Sequence, residues 1–203
     1  MPTTVSEAFA ASDLDCVDVV RWRTRLPISR PGVYVVSLAE SPDTYEGRLV
    51  GAPLAAGSLR NWLDECPRLT LDGSRPTVPQ LCDRIRRFWV PDEVILYIGK
   101  ATSLSDRVGA FYRTQIGERK PHSGGYFLKL LSNLDKLWLH YGTCSSPADA
   151  EHAEDHMLRR FCTNVSDDSR RSLHDPGHPF PFANLEWPPR VRKAHGLRWT
   201  RKP

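Results

Sequence analysis

Two side chains in this chain have types and positions that ask for a partner. Arg107 lies on the flank of an apolar stripe made by Leu104, Val108 and Phe111, at i, i+4 and i+7 of a capped helix. From there its guanidinium can reach along a sheet, and its permanent charge and planar donors suit a phosphate better than a lysine would. Glu154 falls in the middle of another stripe, with Ala150, Met157, Leu158 and Phe161 on the same face of a helix over 147–161. A carboxylate held there loses hydration and must gain a cation, a metal or a proton in return. Helical phase leaves Glu151 at the stripe edge and turns Asp149 and Asp155 outward. A protonated Glu154 in a closed core is the structural alternative.

The elements that must position these groups are short. PGVYVVS and VILYIGKA alternate as core strands, with Val33 and Val35 on one face and Tyr34 and Val36 on the other, and Tyr97 at the same kind of position in the second run. A tyrosine so placed is often structural, with its ring packed and its hydroxyl tied to a partner. Gly99 ends the second strand, and Thr102 or Ser103 caps the helix that begins near Leu104, with Asp106 completing a variant capping box. Ser145 or Ser146 caps the Glu154 helix, whose first turn accepts Pro147.

In order, PGVYVV, LYIGKAxxLxxRV, AxxxExxML and PFAN resemble the GIY-YIG nuclease superfamily, and 97–111 is similar to the incision-nuclease domain of nucleotide excision repair. The matched stretches are 31–37, 94–112, 147–161 and 181–185, less than half the chain. The resemblance implies that Tyr34 and Tyr97 are active-site tyrosines, Arg107 the phosphate-binding arginine, Glu154 the divalent-metal ligand and Asn184 the asparagine closing the motif. Lys100 matches a lysine common just after the second motif. Many members carry a histidine or tyrosine where this chain has Phe111, and His122, beside Ser123-Gly124-Gly125, is the first candidate to replace it. That Gly-Gly pair admits close approach of a phosphate or a neighbouring strand, or makes a plain turn.

Phosphodiester hydrolysis needs a nucleophilic water, charge neutralisation at phosphorus and help for the leaving 3′ oxygen. The expected assignment is one Mg²⁺, or Mn²⁺, on Glu154 and waters, Arg107 on a non-bridging oxygen, and Tyr34 as general base with its pKa lowered by Lys100 or Arg107. Tyr97 then orients water or phosphate.

Composition sets the remaining bounds. The 203 residues, 40% hydrophobic and 26% charged, suit one core. The expected fold is mixed α/β: a small antiparallel sheet flanked by helices, in one domain over 1–203. Its elaborations are an insertion over 38–92 with helices near 58–66 and 78–89, a second insertion over 162–180 and a basic tail over 187–203. A third strand is expected over 137–141, and residues 1–30 are expected at the sheet edge or an interface. With no apolar run of about 18 residues and no secretory pattern at the N-terminus, no membrane partner is expected and the cytoplasm is the default compartment. Five scattered cysteines without a CxxC pair argue for reduced thiols. His152 and His156 have metal-ligand spacing, yet HAEDH departs from the HExxH pattern.

A net charge of +4 is only mildly basic, so its distribution matters more. The tail, with Arg190, Arg192 and Lys193 nominated for substrate, reads either as a flexible solvated end or as a segment lying along DNA. Arg84, Arg86 and Arg87 form a second cluster. The expected function is a sequence-specific, restriction-type DNA endonuclease, acting as a homodimer if its target is palindromic. The alternatives are a structure-selective repair nuclease and a nucleic-acid-binding protein on a degenerate scaffold.

Overall fold

The computed structural model describes residues 2–118, 124–187 and 191–199. Its centre is a four-stranded antiparallel sheet formed by β1 (Asp18–Arg21), β2 (Gly32–Ser37), β4 (Ile95–Ala101) and β5 (Trp138–Thr143), in the spatial order β1-β5-β2-β4. β2 is buried along its whole length, as the alternating apolar run requires of a strand covered on both faces. Val33 and Val35 pack with Ile98 beneath α5 (Pro147–Asn164) and α1 (Val5–Ala10). Tyr34, Val36 and Tyr97 face the larger cluster on the other side, which includes Leu104, Val108 and Phe111 of α4 (Leu104–Arg113). The mixed α/β architecture is the one expected, and the third strand lies where LWLHY alternates.

Residues 18–21 add the edge strand β1 beside β5, which gives the N-terminal region its sheet-edge position. Thr4 and Glu7 cap α1 reciprocally, and Ser146 caps α5 by accepting from the Asp149 amide. At α4 the Ser103 hydroxyl binds Asp106 Oδ2 at 2.8 Å instead of a backbone amide. The amides of Leu104 and Ser105 are tied instead to the Arg30 and Ile28 carbonyls.

The segment between β2 and β4 holds α2 (Ala56–Glu65), the short strand β3 (Thr70–Leu71) and α3 (Val78–Arg86). α6 (Asp167–Ser172) follows α5, and β6 (Glu186–Trp187), β7 (Val191–Arg192) and β8 (Leu197–Arg198) close the described chain. The flexible reading of the tail does not hold for its described residues. β8 pairs with β3, and buried Trp199 packs against Trp62 of α2 and Tyr126 at centroid separations of 5.1 and 5.3 Å. This aromatic packing anchors the tail to α2. All five cysteines are free, and no helix among the described residues is long and apolar enough to cross a membrane.

Trp62 is fully buried where the early segment meets the tail. Trp62→Ala should therefore cost about 3–5 kcal/mol, measured by denaturant unfolding, and should loosen the amides of Leu197 and Arg198 in hydrogen exchange before those of β2.

Candidate active site

The sheet register sets the tyrosines side by side. Tyr34 lies opposite Gly99, and Val36 lies opposite Tyr97, so the two rings come from diagonal positions on one face, 5.9 Å apart. The glycine is required by this closeness: a Cβ at Gly99 would stand 2.7 Å from the Tyr97 ring and 2.9 Å from both Cζ and the hydroxyl of Tyr34. Arg107 reaches the same spot from α4. Its Nε and the Tyr34 hydroxyl are both buried without a hydrogen-bond partner, although Arg107 and Tyr97 flank that hydroxyl closely enough to favour its ionised form. Two such orphaned groups cost about 1–3 kcal/mol each unless a ligand satisfies them.

The expected lowering of the Tyr34 pKa is reversed in the folded protein. Burial outweighs the attraction of Arg107 and pushes the phenol up to about 12. Tyr97 is raised too, by burial first and then by its neighbours Tyr34 and Glu154. Both tyrosines are therefore protonated at neutral pH in the free protein.

Glu154 occupies the position helical phase assigns to it, buried on α5 with Ala150, Met157, Leu158 and Phe161. Burial raises its carboxyl above the ordinary value, opposed by Lys100 and Arg107. Lys100, on β4, lies 3.7 Å from Glu154 Oε2 but only 2.6 Å from Glu151 Oε1, so its ammonium belongs mainly to the more exposed acid. The part played by Glu151 is invisible in a helical projection, which places it only at the stripe edge. Among the described residues no group of three or more His, Cys, Asp or Glu side chains gathers to cage a metal. A poorly compensated carboxylate on an open cleft nevertheless fits a hydrated Mg²⁺, which keeps most of its waters and takes one or two protein carboxylates.

Asn184 acts on the strand rather than from it. The amide of Ile98 donates to its Oδ1 at 2.9 Å, and its Nδ2 donates back to the Ile98 carbonyl at 2.8 Å. With the Ala183 amide donating to the Leu96 carbonyl, this segment covers the open edge of β4 beside Tyr97. Lys193 holds the segment in place, its Nζ donating to the carbonyls of Pro181 at 2.8 Å and Phe182 at 3.2 Å. Lys193, expected at the substrate, borders the cleft but is buried, and the hydrogen bonds of its amine go to the protein.

Tyr97, Lys100, Arg107, Glu154 and Asn184 line one open cleft of about 1230 Å³, with Tyr34 beneath its floor. Arg192 is on the rim, 3.2 Å from Glu186. His122 and Arg190 lie outside the described residues. Phe111 is buried with its ring 5.5 Å from that of Tyr97 and fills the space over Gly125, whose φ of 65° is left-handed. The close approach that Gly125 admits is that of the Phe111 ring, and Gly124 and Gly125 both border the cleft. His152 and His156 are exposed, as their helix face requires. Arg84 is taken up by Asp72. Comparison of the chain with family models, curated proteins and solved structures finds no match.

Gly99→Ala should cost about 1–3 kcal/mol through overpacking and displace the tyrosine pair, read as a lower unfolding midpoint. A second expectation concerns Lys193, whose amine burial depresses to about 7 from an ordinary 10.5. The unfolded chain binds more protons across that window, so this group makes stability rise with pH from about 7 to 10.5. The unfolding free energy of wild type minus that of Lys193→Met should increase over the same range; a flat difference would mean that Lys193 titrates normally.

Proposed function

We propose that this chain is a divalent-metal-dependent DNA endonuclease of the GIY-YIG type, which hydrolyses a phosphodiester in the cleft lined by Tyr97, Arg107 and Glu154, with Tyr34 beneath its floor. The observation that carries the reading is the pair of orphaned buried groups, Tyr34 hydroxyl and Arg107 Nε, beside an incompletely compensated Glu154. A phosphate oxygen and an attacking water would satisfy all three needs at once.

In this reading Arg107 clamps a non-bridging oxygen and neutralises charge that grows in the transition state. Tyr34 first gives up its own proton to solvent; the water oxygen then bonds to phosphorus as the Tyr34 phenolate takes the water's proton, the bond to the 3′ oxygen breaks, and solvent returns a proton to the leaving oxygen. Tyr97 orients the water. Asn184 fixes the β4 edge so that the two phenols and Glu154 keep their spacing. Glu154 is the residue that would hold a Mg²⁺ or Mn²⁺ ion, which would supply charge neutralisation at the reacting phosphate. Lys100, shared between Glu151 and Glu154, holds the carboxylate in the absence of the ion. A restriction-type preference for a defined site, with two copies acting on a palindrome, extends the same proposal.

Supercoiled plasmid incubated with wild type should give discrete fragments with Mg²⁺ or Mn²⁺ and none with EDTA, and Glu154→Gln should give none in any condition. Retained DNA binding without cleavage by wild type would instead support the degenerate-scaffold reading. Since the base must lose its proton and Tyr34 starts near 12, the single-turnover rate should climb with pH through the alkaline range, and Tyr34→Phe should abolish the climb. Activity lost in Tyr97→Phe but kept in Tyr34→Phe would exchange their roles.

A further inference from the structure

The cleft has a second wall that the catalytic groups do not account for. It is built from segments far apart in sequence: β3, from the stretch between the first two motif strands, and β8, from the tail. Thr70 pairs with Arg198 and Leu71 with Leu197, and the Asp72 amide donates to the Gly196 carbonyl at 2.9 Å. Arg84 locks the junction, donating to Asp72 Oδ2 at 2.6 Å and to the His195 carbonyl at 3.1 Å. Behind it Trp199 is wedged against Trp62 and Tyr126. A wall tied at so many points holds its shape when a ligand presses on it.

Of the three tail cations that the structure describes, two are spoken for. Lys193 is buried on backbone carbonyls, and Arg192 pairs with Glu186. Arg198 differs. Strand alternation buries Leu197 and turns Arg198 outward, it lines the same cleft as Arg107 and Glu154, and it forms no salt bridge among the described residues. An uncancelled guanidinium fixed on a rigid strand, sharing a cleft with a phosphate-seeking arginine, suits a second phosphate of the same polymer.

We propose that the β3–β8 ladder is the substrate-positioning wall of the cleft and that Arg198 neutralises a backbone phosphate of duplex DNA, separate from the phosphate at Arg107. The inference rests on the nuclease reading above. It also gives the early segment a purpose, which is to hold the tail as a fixed contact surface. The cation that sequence composition could not single out is then Arg198, and not Lys193.

The test is the salt dependence of binding, measured by fluorescence anisotropy with a short labelled mixed-sequence duplex in EDTA, so that no cleavage intervenes. Each phosphate neutralised adds about 0.9 to the slope of log affinity against log salt. Arg198→Gln should lower the slope magnitude by about 0.9, so that wild type loses about 3.5-fold more affinity than the variant over a fourfold rise in salt. Arg198→Lys should keep the wild-type slope. Arg68→Gln, which removes an equal charge at an exposed position outside the cleft lining, should leave it unchanged. Equal slopes for wild type and Arg198→Gln would overturn the wall while leaving the nuclease reading intact. An equal drop in Arg68→Gln would reduce the effect to net charge and overturn it too, and wild type that binds no duplex would sink both.

Discussion

An edge strand has outward-facing peptide groups that must find partners, and in this protein the edge of β4 finds them in the Ala183–Asn184 segment and in α5. Ala183 takes the Leu96 carbonyl, Asn184 takes both polar groups of Ile98, and Glu154 stands against the backbone at Lys100. A continuing sheet would have filled these positions with another strand and left no cleft. The same hydrogen bonds that satisfy the edge therefore hold Glu154 and Asn184 within reach of the tyrosines on the opposite face. Geometry at the site follows from an ordinary backbone requirement.

Around that edge the molecule divides its work between the two faces of the sheet. The α5 face is an apolar core interrupted by a few buried polar side chains, Glu154, His140 and Ser37 among them. The opposite face carries Tyr34, Tyr97 and Arg107, and there α2, α3 and the tail gather into one continuous cluster. Two lysine amines on this side, one buried and one half-buried, serve as internal ties. Lys193 holds the Pro181 and Phe182 carbonyls, and Lys129 reaches the Phe111 and Thr114 carbonyls at the end of α4, where few amides are available to pair them.

Much of this is legible in the sequence because it depends on local period. Two-residue alternation places Tyr34 and Tyr97 on strands, and 3.6-residue phase brings out Glu154 without reference to any other protein. What cannot be read depends on long-range closure. Nothing near Lys193 in sequence distinguishes it from Arg192, yet one is buried on carbonyls and the other sits on the rim. The distinction is made by Pro181, Phe182 and the Asp175 carboxylate that accepts from the Ala194 amide. The pKa of Tyr34 escapes the sequence for the same reason: a nearby arginine is visible there, whereas full desolvation by the surrounding core is not.

The late position of Asn184, Lys193 and β8 in the chain has a consequence for how the protein is made. Chains emerge from the ribosome N-terminus first, at about 5–20 residues per second. A nascent chain exposed as far as Phe161 already carries both tyrosines, Arg107 and Glu154, but lacks Asn184, Lys193 and the β8 half of the wall. The edge of β4 is then uncovered and Trp62 has no Trp199 to pack against. The frame of the cleft therefore closes only after these later residues emerge, so a translation product interrupted at Phe161 would carry Tyr34, Tyr97, Arg107 and Glu154 without the segments that hold the β4 edge.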